Sequence, residues 1–389
     1  MKLVVVGFGQ CGGRIADGFA RLNGRARSRR GIEITPGVFA VNTDAADLTG
    51  LSTIKADYRH RILIGGERTR GHGVAKLNEL AAEIAREDGD KIIDAIRATK
   101  RFYEADAFLL IAASAGGTGS GAIPIMLNMI KERYADKPVY AIIVLPFEHE
   151  ETEKRTLFNT AVCLKSVYSV ADAVFLVDNQ RYIRKDTSLR NNVAKINEMI
   201  VEPFYDLLCA GEEKKARRIG TKVLDAGDIM QTLGGWTAIG YGRSRIPWLK
   251  LPFGFTNNFK KKSVETHKGV QAMDETLSEL SIRCSPGDSA SALYLVSGPA
   301  QEMNVDLIKE LGDYLRDIAP NAVIRSGDYP AGRGELDITV ILSQLRDVEK
   351  VRDYYNKSAD IIEDIKRQET IANEQSLTEE DSKDLPTLL

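Results

Sequence analysis

The amino-acid sequence predicts an α/β fold: a parallel-sheet domain, a long central helix and a C-terminal mixed α/β domain. Three observations carry that expectation. Short runs rich in Val and Ile recur through the first half without clean alternation, as strands buried on both faces do. Stretches with their apolar residues on one side separate these runs, as crossover helices do. Near Ser188 the rhythm breaks, and a longer helical pattern leads into a less regular second half.

In order, Leu3 to Val6 is the first strand, stopped by Gly7, and a helical stretch runs from Arg14. Val38 to Val41, Ala107 to Ala113, Val139 to Leu145 and Ala173 to Val177 continue the sheet. Leu77 to Ile96 and Ala122 to Arg133 carry the one-sided apolar pattern of covering helices. Val193 to Leu208 reads as one helix, kinked at Pro203. Beyond it come strands at Thr237 to Tyr241, Ala292 to Val296, Val323 to Arg325 and Leu336 to Leu342. Helices are expected near Val264 to Leu280 and Asp306 to Ile318. The expected organisation is a first domain over 1–187, a central helix and connection over 188–224, and a second domain over 225–355. A terminal helix and a charged, flexible tail follow over 356–389.

Composition narrows the function. The 389 residues hold 53 basic and 55 acidic side chains, a net charge of −2, so a protein that coats nucleic acid is disfavoured. A hydrophobic fraction of 43% argues against wholesale disorder. No apolar run approaches the roughly 18 residues of a membrane span. The apolar start, Leu3 to Val6, is too short for a secretory signal, so the expected place is the cytoplasm. Four cysteines and four histidines are scattered without a CxxC, so neither structural zinc nor a disulfide framework is expected.

Two glycine loops carry the chemistry. Gly7-Phe8-Gly9-Gln10-Cys11-Gly12-Gly13 follows the first strand. It fits a tight strand-to-helix turn as well as it fits a phosphate site. A dinucleotide site needs an acidic residue roughly 20 positions on that closes the second strand; Asp44 follows that strand but lies farther along, and Asn42 precedes it. The second loop decides. Ala115-Gly116-Gly117-Thr118-Gly119-Ser120-Gly121 sits between a buried strand and an amphipathic helix, where a flexible linker would not. Such a loop offers a nest of N–H groups to a polyphosphate, with the Thr118 and Ser120 hydroxyls as further donors. No GxxxxGK[ST] occurs, so this is not a P-loop.

Residues 115 to 121 resemble the tubulin signature loop GGGTGSG, with Ala115 at its first position. Gly9-Gln10-Cys11-Gly12 resembles tubulin's first nucleotide loop. Ile64-Gly65-Gly66, Gly71-His72-Gly73 and Ile196-Asn197-Glu198 are similar to the archaeal tubulin-like CetZ proteins within the FtsZ/tubulin superfamily. The resemblance implies a Rossmann-like GTPase domain that binds GTP or GDP with Mg2+ on the phosphates. It also implies head-to-tail filaments of identical subunits, with a role in cell shape or division. Asn42 and Asp44 would line the second nucleotide loop, Gly71 and Gly73 would lie beside the γ-phosphate, and Asn197 would read the guanine edge. Glu151 and Arg155 would hold the ribose, and Arg14 stands where FtsZ has an asparagine near the base. Asp225 and Asp228 match the acidic loop that enters the next subunit's nucleotide pocket and orients the attacking water. Carboxylates are weak bases at neutral pH, so positioning water suits them better than abstracting its proton.

Each of these has a plainer reading. Asp225 and Asp228 are spaced as a helix-capping pair. Asn197 fits a solvated helix face, and His72 a structural role. The apolar segment Arg243 to Phe259 is either a lateral-contact loop or a core cover. Lys260-Lys261-Lys262 and the cluster Arg25, Arg27, Arg29 and Arg30 read as solvated faces that filament neighbours or an anionic membrane could meet. The tail Glu379 to Leu389 suits a partner protein or membrane adaptor, or simple disorder. Two other functions stay open: a dinucleotide-dependent oxidoreductase, and a nucleotide-gated assembly module that does not hydrolyse.

Overall fold

Among the described residues, ten strands form one continuous sheet in the order β3-β2-β1-β4-β5-β6-β7-β10-β8-β9. In this computed structural model the described residues are 1–183, 189–245, 269–300, 303, 305–332, 335–359 and 361. The first six strands are β1 (Leu3–Phe8), β2 (Gly37–Asn42), β3 (Arg61–Leu63), β4 (Ala107–Ala113), β5 (Val139–Leu145) and β6 (Ala173–Asp178). All are parallel, and the order reverses between β1 and β4. The other four are β7 (Gly235–Arg245), β8 (Ser291–Gly298), β9 (Val323–Pro330) and β10 (Glu335–Leu345). β10 runs antiparallel between β7 and β8, and β9 is parallel to β8. The two halves join where Ala173, Val174 and Phe175 of β6 pair in parallel with Gly235, Trp236 and Thr237 of β7. Tyr168 stacks on Trp236 beside that seam, with ring centres 4.4 Å apart.

The missing alternation in the sequence is explained by burial on both faces. Val4, Val6 and Phe8 of β1 enter one apolar layer, while Leu3 and Val5 enter the other. The covering helices are α1 (Gly9–Arg30), α2 (Ala45–Thr49), α3 (Gly66–Thr69), α4 (Asn78–Arg97), α5 (Thr118–Arg133) and α6 (Lys154–Tyr168). The central helix is broken at Glu202 into α7 (Leu189–Val201) and α8 (Pro203–Ala210). Pro203 takes the first turn of α8, where its missing N–H leaves nothing unsatisfied. α9 (Ala226–Thr232) leads into β7. Residues 269–278, Val305–Ile318 and 349–359 supply further helices.

Several expectations change. α1 begins at Gly9 rather than Arg14, and α5 at Thr118 rather than Ala122, so both glycine motifs belong largely to helix N-termini. Packing overrides propensity there: a Cβ on Gly12 would lie 2.1 Å from the Ile111 carbonyl oxygen of β4. The strand β3, only three residues long, has no counterpart in the sequence reading. Three members of the arginine cluster are engaged rather than simply solvated. Arg25 pairs with Glu202 at 2.9 Å and lies over the Tyr205 ring, Arg30 meets Glu213 at 3.3 Å, and Arg27 meets Glu33. Residues 246–268, with most of the apolar segment and the lysine run, and the tail beyond 361 lie outside the described residues.

Candidate functional site

Parallel α/β sheets bind ligands beyond the carboxyl ends of their strands, where the strand order reverses. Here that point lies between β1 and β4, and both glycine motifs emerge from it. A helix N-terminus exposes N–H groups and a positive potential. Neither α1 nor α5 has a side-chain cap or an acidic residue in its first turn, so neither potential is quenched locally. Gly9 adopts φ +69°, and a Cβ there would lie 3.1 Å from the Gly119 nitrogen, so the two helix starts touch. Gly116 borders open space, since a Cβ on it would meet nothing within 4 Å. The two glycine motifs therefore meet beyond the ends of β1 and β4, and the open space beside Gly116 makes the crevice there.

The hydroxyls of this motif brace it instead of adding donors to the crevice. Thr118 and Thr43 hydroxyls lie 2.6 Å apart, and Ser120 donates back to the carbonyls of Gly116 and Gly117. Both side chains are buried. Burial pushes the Cys11 thiol up to about 12, so it is a neutral packing group.

A second loop system joins from β2. Asp44 caps α2 by accepting from Ala46 and Asp47 N–H groups at 2.8 and 3.1 Å. Asn42 turns its amide to Asp47 at 3.0 Å, and Gln10 of α1 reaches the same carboxylate at 2.6 Å. Asp47 was missed in the sequence because no motif marks it. Gly71 and Gly73, at φ +77° and +79°, hold this loop through Ala45 N–H to Gly71 carbonyl and Gly73 N–H to Thr43 carbonyl contacts of 3.0 and 3.1 Å. His72 bridges backbone with Asp44, which fits its structural reading.

The end of α7 packs on α1: Val201 lies where a Cβ on Gly18 would meet it at 3.1 Å, and the next residue, Glu202, pairs with Arg25. Asn197 is half-buried, one turn before Val201 on α7, and Arg14 is exposed in the second turn of α1. The expected ribose pair is not brought together. Glu151 accepts from the Tyr354 hydroxyl at 2.6 Å and from Lys357 at 3.2 Å, so it is turned to the closing helix. Arg155 donates to the Lys76 carbonyl at 3.2 Å and pairs with Glu79. The tertiary partners Tyr354 and Lys357 are some 200 residues away in sequence, and they claim Glu151 in this conformation.

Asp225 and Asp228 stand far from this crevice. They form the capping box of α9: Asp228 N–H donates to Asp225 at 2.9 Å, and the Asp225 N–H faces the Asp228 carboxylate at 3.5 Å. The sequence's plainer reading is therefore realised, and Asp225 remains exposed. α9 ends just before Gly235, which pairs with Ala173, the first residue of β6. A Cβ on Gly211 would lie 3.0 Å from the Asp225 Cα, and the neighbouring Glu212 pairs with the Met1 amino group at 3.0 Å. The acidic pair thus sits at the edge where the parallel strands begin, and the glycine motifs at the edge where they end. The 22 residues of α1 span that separation, about 33 Å.

Comparison with known proteins follows the same lines. Residues 2–185 match the Tubulin/FtsZ family GTPase domain, and residues 186–360 match the C-terminal domain of tubulin-like CetZ. Tubulin-like protein CetZ1 of Haloferax volcanii is 31% identical, with 94% of this chain and 95% of the relative aligned. The solved GDP-bound monomer of CetZ1 from that organism superposes with a TM-score of 0.79 at 28% identity, covering 93% of this chain and 99% of the other. The GTPγS-bound protofilament of CetZ2 from Haloferax volcanii superposes equally well, at 0.79 and 28% identity, covering 94% and 100%.

Proposed function

The chain belongs to the tubulin/FtsZ family, with a GTPase domain and a CetZ-type C-terminal domain, and on that premise we propose that it binds GTP and assembles head-to-tail. In this reading GTP is hydrolysed at the junctions between subunits. The observation that carries it is the placement of the glycine crevice and the Asp225/Asp228 pair at opposite edges of one sheet. No single chain joins them, but a second copy stacked in the same orientation would bring its acidic edge onto the first one's crevice. Relatives solved as a GDP-bound monomer and a GTPγS-bound protofilament support the guanine nucleotide and the self-association.

The N–H groups at the starts of α1 and α5 hold the phosphates, and the two helix dipoles favour their charge. In this reading Asn197 of α7 contacts the base. Asp225 and Asp228 of the adjacent subunit orient water toward the terminal phosphate, while fixed N–H donors meet the charge that develops on its oxygens. Among the described residues no group of three or more His, Cys, Asp and Glu side chains could hold a metal unaided, so Mg2+ would rest on the phosphates. Among the described residues no helix is long and apolar enough to cross a membrane, and the proposed place of work is the cytoplasm, in cell shape or division. Light scattering with GTP against GDP, alongside phosphate release, tests the reading. Assembly and release with GTP alone are expected; phosphate release without assembly would refute it.

A further inference from the structure

Asn159 lies on α6, fully buried. Its side-chain nitrogen donates to three carbonyls: Lys76 at 2.9 Å, Ala115 at 3.2 Å and Gly116 at 3.2 Å. Two of these belong to the second glycine motif. A peptide unit is planar and trans, so the carbonyl of one residue and the N–H of the next point in opposite directions. With the Ala115 and Gly116 carbonyls turned to Asn159, the N–H groups of Gly116 and Gly117 are turned away from α6. That is the direction a phosphate would approach from, if the open space beside Gly116 is the crevice. The Ser120 hydroxyl reinforces the setting by donating to the same Gly116 carbonyl.

The other end of the amide is informative as well. Asn159 Oδ1 is buried with no hydrogen-bond partner. A buried acceptor left unsatisfied is costly, and a leucine here would avoid it. The structure keeps the asparagine, and what the asparagine supplies is the donor. Arg155, one turn earlier on α6, also donates to the Lys76 carbonyl, so the segment ahead of α4 is fixed from the same helix. Ala75 and Lys76 there adopt φ +48° and +62°, a conformation that non-glycine residues hold only when their surroundings enforce it.

We propose that Asn159 is a positioning residue for phosphate binding: by holding the Ala115 and Gly116 carbonyls, it aims the Gly116 and Gly117 N–H groups at the phosphates. This rests on the reading of the glycine crevice as the phosphate site. The test is Asn159→Leu in the full chain, which keeps the volume and removes the donor. Affinities for GTP, pyrophosphate and guanosine are measured by titration. GTP and pyrophosphate affinity should fall together by about tenfold to a hundredfold, with guanosine binding unchanged. Equal loss for all three probes, or no loss for any, overturns the proposal. Amide hydrogen exchange of the unaltered chain, read by NMR, needs no variant. The Gly116 and Gly117 amides should exchange fast without nucleotide and slow when GDP is bound; protection of both in the nucleotide-free chain overturns the proposal. An unaltered chain that binds neither GTP nor pyrophosphate would instead refute the phosphate site itself.

Discussion

Gly116 and Gly117 are neighbours with opposite demands. A Cβ on Gly117 would lie 2.6 Å from Val74 Cγ2 and 2.9 Å from the Lys76 Cα, so any side chain must push the adjoining loop aside. A Cβ on Gly116 would enter open space on the side assigned to the phosphates. Gly116→Ala should therefore melt like the unaltered chain yet lose GTP affinity, while Gly117→Ala should lower the thermal midpoint as well. Equal melting of the two variants would contradict the packing argument. Charge gives a second residue-scale expectation. The Arg101 guanidinium and the Lys2 ammonium hold Glu104 well below the usual carboxylate range, at about 2 against 4.5. A depressed carboxylate stabilises the fold above its unfolded value, and that contribution is lost as pH falls toward the folded one. The difference in thermal midpoint between the unaltered chain and Glu104→Gln should shrink between about pH 4.5 and pH 2. A difference that stays constant over that window would show that the pairing contributes nothing.

At the scale of the element, α9 has an observed cap and a proposed part in hydrolysis, which one substitution confounds. Asp225→Ala removes both the cap and the carboxylate, and losing the cap alone costs about 0.5–2 kcal/mol. Asp225→Asn separates them, because an amide oxygen still accepts from the Asp228 N–H. The asparagine variant should keep near-native stability and nucleotide affinity while GTP turnover falls on the order of a hundredfold or more. Turnover that survives in Asp225→Asn would leave capping as the pair's whole role. The cap was legible beforehand because the three-residue spacing is a local fact, whereas the water-positioning reading came only with the family resemblance. The glycine motifs were legible for the same reason, although their helical state was not: the close approach to β4 that allows a helix at Gly12 is tertiary. Asn159 carries no motif, and only the fold lays it under the carbonyls of Ala115 and Gly116. Glu151 reads as a ribose ligand from its FtsZ-like spacing to Arg155, and its partners Tyr354 and Lys357 come from too far along the chain to show in the sequence. β3 is too short to leave a pattern, and its pairing with β2 defines it.

Across the whole molecule the sheet has a polarity, and the account depends on it. α1 separates the crevice from the acidic edge by about 33 Å, so in the proposed assembly each subunit would carry two halves of different sites. The pairing of β6 with β7 makes one continuous sheet of the half that carries the crevice and the half that carries Asp225 and Asp228. The most direct measurement is GTP turnover per subunit as a function of protein concentration, repeated with Asp225→Asn and Gly116→Ala mixed in equal parts. The predicted result is turnover that rises with concentration and nearly vanishes in dilute monomer. Each variant alone should be close to inactive. The mixture should recover activity, because Asp225→Asn supplies intact crevices and Gly116→Ala supplies intact acidic edges. Turnover per subunit that is independent of concentration down to the monomer, with no recovery on mixing, would place the whole site within one chain and contradict the account.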